Sequence, residues 1–169
     1  MHETAEDLEA LQALIDRSYA QAGPHLLRIH TPERRLTAEQ VSERLQGMCL
    51  LSLATVSSAG RPVVGPVDGI FFRGAFHFGS APDSIRFRHI AARPWVSATH
   101  LPGEQLSVTV HGRAERVDIG SGPFREALLD IYTPRYGEEW GTNFLDSGPV
   151  YARIDAERMY RFWMEEETQ

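Results

Sequence analysis

Three stretches of β-forming residues follow one another in residues 54–88 with only tight turns between them, and this order constrains the fold more than any other feature. The turns fall at residues 57–60 and 73–74, where serine, glycine and arginine interrupt the valines and phenylalanines. Strands joined by such short turns pair antiparallel, because parallel pairing needs a long crossover connection. The segment therefore predicts an antiparallel sheet.

The same segment ends in a loop that leads into a predicted helix beginning near Asp83. The free N–H groups of the first helical turn, and the positive end of the helix dipole, point toward any anion in that loop. Four side chains add hydrogen-bond donors: Ser80, Ser84, Arg86 and Arg88. The pattern predicts a site for a phosphorylated ligand. Residues 86 and 88 lie about 200° apart on a helix, so we do not expect both arginines to hold one phosphate.

The rest of the chain supplies further strand and helix signals. Capping boxes at Thr4 and Thr37 predict two helix starts before the sheet. The other expected elements, in chain order, are a surface connector at 24–35, strands at 48–56, 95–99 and 106–117 with a bulge at 111–112, a helix at 123–132, loops at 136–148, and two closing strands at 150–154 and 158–163.

These elements predict a mainly β fold, a six-stranded antiparallel barrel with an N-terminal helix and two connecting helices. A Rossmann fold is not indicated, because Gly65 and Gly69 do not complete its glycine signature. We expect a single globular domain, in which residues 1–35 form the N-terminal helix and connector and residues 36–169 form the barrel.

Composition excludes several classes of function. The formal charge of −6 and the pI near 5.6 argue against nucleic-acid binding, which normally needs a basic face. No apolar stretch is long enough to span a bilayer, so we expect no membrane attachment and a cytoplasmic location. The single cysteine, Cys49, is expected to be a buried thiol, and the histidines lack metal-ligand spacing, so no metal site is expected.

The order of these motifs resembles that of the pyridoxamine 5′-phosphate oxidase-like superfamily, whose members are FMN-binding split β-barrels. The resemblance covers roughly residues 36–163 and depends on an ordered set of segments. These are LSLAT at 51–55, GRP at 60–62, VVGPV at 63–67, FHFG at 76–79, SIRFRHI at 84–90, RPWVS at 93–97 and VHGRA at 110–114.

The resemblance implies a homodimer that holds FMN at each subunit interface. The implied phosphate contacts are Ser80, Ser84, Arg86 and, as a further candidate, Arg88. The implied contacts along the isoalloxazine ring are Val64, Gly65, Pro66, Val67 and Asp68. Of all these residues, we expect Arg86 to matter most.

In function, the resemblance implies a flavin-dependent oxidoreductase that transfers hydride or electrons to or from a small-molecule substrate. Similar barrels bind the deazaflavin coenzyme F420 or haem, so a deazaflavin-dependent reductase, a non-catalytic flavin or haem carrier, and an unliganded structural dimer remain open. Vitamin B6 oxidation is not expected, because the chain ends without the arginine- and histidine-bearing segment of true pyridoxamine-phosphate oxidases. No catalytic acid or base can be named from the sequence.

Overall fold

Six antiparallel strands close into a barrel in the computed structural model, which describes residues 2–165. The strands are β1 (Met48–Val56), β2 (Pro62–Phe72), β3 (Ala75–Ser80), β4 (Trp95–His100), β5 (Leu106–Val117) and β6 (Val150–Trp163). Their order around the barrel is β1-β2-β3-β6-β5-β4, with β4 pairing back onto β1. The predicted six-stranded antiparallel barrel is confirmed.

Helices occupy the ends and connections of this barrel. They are α1 (Ala5–Ala20), α2 (Pro24–Ile29), α3 (Ala38–Arg44), α4 (Ile85–Ala92), α5 (Pro123–Tyr136) and α6 (Glu138–Asp146), with a 3-10 turn at Pro32–Arg34. Both predicted capping boxes form, between Thr4 and Asp7 and between Thr37 and Gln40.

One prediction about the connections was incomplete and one was wrong. The surface connector at 24–35 contains the short helix α2, and residues 136–148 contain α6 rather than loops. Helix α6 is held by aromatic packing, because Trp140 and Phe144 both meet the Tyr132 ring of α5 edge-on. This stabilisation comes from tertiary contact, which is how most short helices are stabilised in proteins.

The closing strand is also longer than predicted. Two strands are predicted at 150–154 and 158–163, but β6 runs unbroken over 14 residues. Its first residues pair with β3, while nearly its whole length pairs with β5. The polar residues Asp155 and Glu157 lie on exposed positions of the strand, so they do not interrupt it.

Aromatic side chains inside the barrel fix the position of α4. Phe76 and Phe78 of β3 are fully buried, and Phe87 of α4 stacks on Phe78 with ring centroids 5.8 Å apart. This contact holds the start of α4 against β3. Cys49 is buried as predicted, and burial raises the pKa of its thiol to about 11.

A bulge forms where it is predicted, beside His111 and Gly112, but its extra residue lies in β6, because His111 pairs with Arg158 and Gly112 with Ala156. The register against β6 shifts between His111 and Gly112, and a Cβ at Gly112 would lie 2.1 Å from the carbonyl oxygen of Asp155. A side chain at this position would therefore collide with the β6 backbone.

We expect Gly112→Ala to lower the free energy of unfolding by about 2–3 kcal/mol, because the backbone must move to admit the methyl group. Gly23→Ala is the matched control, since a Cβ there meets nothing within 4 Å. Urea unfolding measures both variants, and equal stability of the two would contradict the close approach.

His77 is a buried titratable residue, 4% exposed, that packs against Phe72 and Phe124. Its ring centroid lies 4.3 Å from that of Phe124. Its Nδ1–H donates to the Ala75 carbonyl at 3.1 Å. Burial lowers the pKa of His77 to about 4, and the positive charge of Arg153 acts in the same direction.

Between about pH 6.5 and pH 4 the unfolded chain binds a proton at His77 that the folded protein does not. The contribution of neutral His77 to stability is therefore complete above pH 6.5 and falls by about 3 kcal/mol as the pH drops to 4. His77→Phe should remove this part of the pH dependence. Urea unfolding at pH 7.5 and pH 4.5 compares the two proteins, and identical pH slopes would show that His77 does not titrate as described.

Candidate functional site

The outer face of β2 carries three of the residues predicted to contact a ring. Val64, Pro66 and Asp68 are exposed, whereas the side chain of Val67 is buried in the barrel core. This follows from the alternation of side chains along a strand. Only the backbone of Val67 can therefore face a ligand on the outer surface.

The loop after β3 forms a turn that presents the start of α4. The N–H of Ser84 donates to the Ala81 carbonyl at 3.0 Å, and Ser84 caps the helix by accepting from the Phe87 N–H at 3.4 Å. The first N–H groups of a helix have no acceptor within the helix, so they remain available to an anion.

Arg86 joins the loop-helix segment to β2. One of its guanidinium nitrogens, Nη2, donates to the Pro66 carbonyl at 3.0 Å. The same nitrogen lies 3.7 Å from where a Cβ of Gly65 would be, so the guanidinium lies directly against the strand at this position. The two predicted halves of the cofactor site thus meet at Arg86.

Pro66 is the hydrogen-bond partner of this guanidinium within the described residues. A guanidinium has five N–H donors, so about four remain for a ligand. Arg88 is exposed on another side of α4, as the helical spacing predicts, and makes no side-chain hydrogen bond to residues 2–165. The structure brings Arg86, and not Arg88, to β2.

Ser80 and Asp68 instead line an adjacent cavity of about 250 Å³. We call it the tyrosine pocket, and its main lining residues are Asp68, Ser80, Pro82, Tyr132, Phe144 and Tyr151. Sequence reasoning missed its three aromatic residues. A signal was present, because Tyr132, Tyr136, Trp140 and Phe144 recur every fourth residue, which is the spacing of one helical face.

The floor of the tyrosine pocket is a pair of phenol groups. The hydroxyls of Tyr132 and Tyr151 lie 2.7 Å apart, and both rings are buried. Burial raises the pKa of both phenols, and the negative charge of Asp68 acts in the same direction. Both tyrosines therefore stay protonated and serve as hydrogen-bonding groups at neutral pH.

Two histidines, His89 of α4 and His111 of β5, bond to hydroxyl groups. His89 Nδ1 lies 2.9 Å from the Thr55 hydroxyl, and His111 Nδ1 lies 2.8 Å from that of Ser97. Partial burial lowers the pKa of His111. Within residues 2–165, no three His, Cys, Asp or Glu side chains come together in a way that could hold a metal ion.

Comparison with models of protein families identifies the family of this chain. The family model described as pyridoxamine 5′-phosphate oxidase matches residues 37–164, most of the chain. The chain belongs to the pyridoxamine 5′-phosphate oxidase family. No curated protein gives a significant match to this family member.

Solved structures related to this pyridoxamine 5′-phosphate oxidase family member share its fold. They include an FAD-binding protein from Mesorhizobium loti (23% identity, TM-score 0.55), the heme storage protein HutZ from Vibrio cholerae (20%, 0.57) and an F420 reductase (20%, 0.53). The matches cover 77%, 75% and 70% of this chain and 96%, 94% and 94% of those chains. At such low identity they establish the fold alone. Among the helices described, none has the length and apolar character needed to cross a membrane.

Proposed function

We propose that this protein binds FMN and uses it as an oxidoreductase acting on a small molecule. The observation that carries the proposal is the hydrogen bond from Arg86 to the Pro66 carbonyl, which joins a helix start to the outer face of β2. In this proposal the start of α4 binds the phosphate and β2 binds the ring, and the proximity of the two elements suits a flavin mononucleotide. Membership of the pyridoxamine 5′-phosphate oxidase family supports the same cofactor class.

The residues present suit the two ends of this cofactor. At the phosphate end, the free N–H groups of α4 and the unused donors of Arg86 match phosphate oxygens in charge and hydrogen bonding, with the Ser84 hydroxyl close by. At the ring end, Val64 and Pro66 offer an exposed apolar surface, with Val64 66% exposed. A bound flavin would supply the hydride chemistry, and the chain would bind, orient and shield it.

Two other ligands suit the same barrel. A deazaflavin coenzyme also carries phosphate, and an F420 reductase shares the fold at 20% identity. A carrier function is the second candidate, since the heme storage protein HutZ shares the fold as well. An oxidoreductase should reduce and reoxidise its cofactor over many turnovers with a substrate, whereas a carrier should bind without turnover. A cytoplasmic location stays part of the proposal.

We also propose that a second copy of the chain covers the outer face of β1, β2 and β4. In the register of the sheet, Ala54 lies between Val64 and Ser97, and Ser52 lies between Pro66 and Thr99. These side chains are small or apolar and uncharged, and Leu50 next to them is 62% exposed. Asp68 lies opposite Leu50 in the register, and the other side chains named here are uncharged. An exposed face of this kind is typical of an interface. A dimer formed there would enclose the cofactor on β2.

The Arg86 contact predicts a specific loss of cofactor binding. We expect Arg86→Ala to weaken FMN affinity at least tenfold, because charge-assisted hydrogen bonds to the phosphate are lost (about 1.5–3 kcal/mol). Arg88→Ala, on the other side of α4, is the matched control and should change affinity less than about threefold. Quenching of FMN fluorescence gives both constants. Unchanged affinity of Arg86→Ala would remove this residue from the site.

The proposed interface predicts the oligomeric state. The protein should have twice the 19.0 kDa mass of the chain in solution, and Leu50→Asp should shift it toward the monomer, because a charge would be buried in an apolar contact. Ile29→Asp, at a 43% exposed position on α2, should leave the mass unchanged. Sedimentation velocity measures all three proteins. A monomeric parent protein would contradict the dimer. A Leu50→Asp protein that stays as fully dimeric as the parent would show that the interface does not lie on this face.

A further inference from the structure

The tyrosine pocket adjoins the proposed cofactor site, and it shares Asp68 and Ser80 with that site. Asp68 and Ser80 line the pocket; Asp68 lies in β2, and Ser80 is the last residue of β3, just before the loop that leads to α4. A small molecule in the pocket would therefore lie beside the ring proposed to lie along β2. This position is suited to a reaction partner of the cofactor.

The lining of the pocket limits the charge of its ligand. Of the described residues that line it, only Asp68 carries a charge. No cation is present there to balance an anionic group, and an anion near a carboxylate is repelled. The pocket therefore favours a neutral or cationic ligand. A phosphorylated pyridine, such as the substrate in the family's name, does not fit this lining.

The walls limit the shape of the ligand. Phe144 forms one wall and is itself stacked on Trp140, with centroids 5.1 Å apart and an angle of 8° between the planes. The ring centroids of Trp140 and Tyr136 lie 4.4 Å apart, so the Phe144 wall is held in place by two further aromatic rings. A preformed aromatic wall favours a flat apolar partner. The volume of about 250 Å³ is at the small end for ligand sites, which suits one or two rings.

The floor supplies the polar recognition. Two protonated hydroxyls lie 2.7 Å apart, and one hydrogen is spent on the bond between them. The second hydroxyl hydrogen of the Tyr132–Tyr151 pair is left for an acceptor atom on a ligand. Gly79 is part of this arrangement, because a Cβ there would lie 2.6 Å from the Tyr151 ring. The absence of a side chain at position 79 thus lets Tyr151 pack beneath β3.

We propose that the tyrosine pocket binds the small-molecule substrate, and that this substrate is a flat aromatic compound of one or two rings, neutral or cationic, with a hydrogen-bond acceptor for the tyrosine pair. The inference rests on the proposed function, because it places the substrate beside the proposed cofactor. The pocket itself is formed by the protein alone, so it can be tested without any cofactor.

The probes are quinoline, which is neutral and carries a ring nitrogen acceptor, and quinoline-2-carboxylate, which has the same rings and a negative charge. Calorimetric titration of the cofactor-free protein at pH 7.5 should give saturable binding of quinoline and at least tenfold weaker binding of the carboxylate. Asp68→Asn should reduce this difference, and Asp155→Asn, at an exposed position on β6, should not. Equal affinity for the two probes, or no quinoline binding, would overturn the proposal.

The hydroxyl pair is tested in the same titration. Tyr151→Phe keeps the ring and should weaken quinoline binding about fivefold, as the loss of one hydrogen bond predicts. Tyr160→Phe, a half-buried tyrosine of β6 outside the pocket, should have no effect. An unchanged quinoline affinity in Tyr151→Phe would overturn the assigned role of the pair.

A parallel FMN titration separates the two proposals. Quinoline binding with the expected charge preference in a protein that binds neither FMN nor deazaflavin would support the pocket and contradict the proposed function. FMN binding without quinoline binding would support binding of the cofactor and contradict the role proposed for the pocket.

Discussion

The pairing of β6 with both β3 and β5 is the interaction on which the rest of the structure depends. It closes the barrel, so neither β3 nor β5 is left with an unpaired edge. Helix α1 is attached to the same strand, since Ser18 accepts from the Met159 N–H at 2.9 Å and Tyr19 donates to the Arg161 carbonyl at 2.7 Å. The start of β6 also provides Tyr151. One strand therefore fixes the barrel, the N-terminal helix and the floor of the tyrosine pocket.

Closure also explains why the proposed cofactor and substrate sites lie next to each other. Strand β3 is held between β2 and β6, so the loop that follows it has a fixed position. On one side of that loop, Arg86 reaches back to the Pro66 carbonyl of β2. On the other side, Ser80 opens into the tyrosine pocket. In this account, a cofactor on β2 and a flat substrate in the pocket would meet near Asp68.

The sequence revealed those features that depend on local chemistry. Glycine and proline punctuation placed the strands and the Gly112 bulge, and capping residues placed the starts of α1 and α3. Helix α6 was missed although its aromatic residues recur at helical spacing, because the helix is stabilised by the contact of Trp140 and Phe144 with Tyr132 of α5, which the sequence alone does not show. For the site, the sequence indicated Arg86 but could not show its bond to Pro66, 20 residues earlier. The tyrosine pair was likewise invisible, since its members come from α5 and β6.

The outer face of β2 and the start of α4 are proposed to hold a flavin or deazaflavin together. This site can be located by amide chemical-shift mapping of ¹⁵N-labelled protein during titration with FMN and, separately, with the deazaflavin coenzyme. We expect saturable shifts with at least one cofactor, concentrated in residues 64–68 and 80–86. Absence of shifts with both cofactors, or shifts concentrated on α1 and the middle of β6, would contradict it.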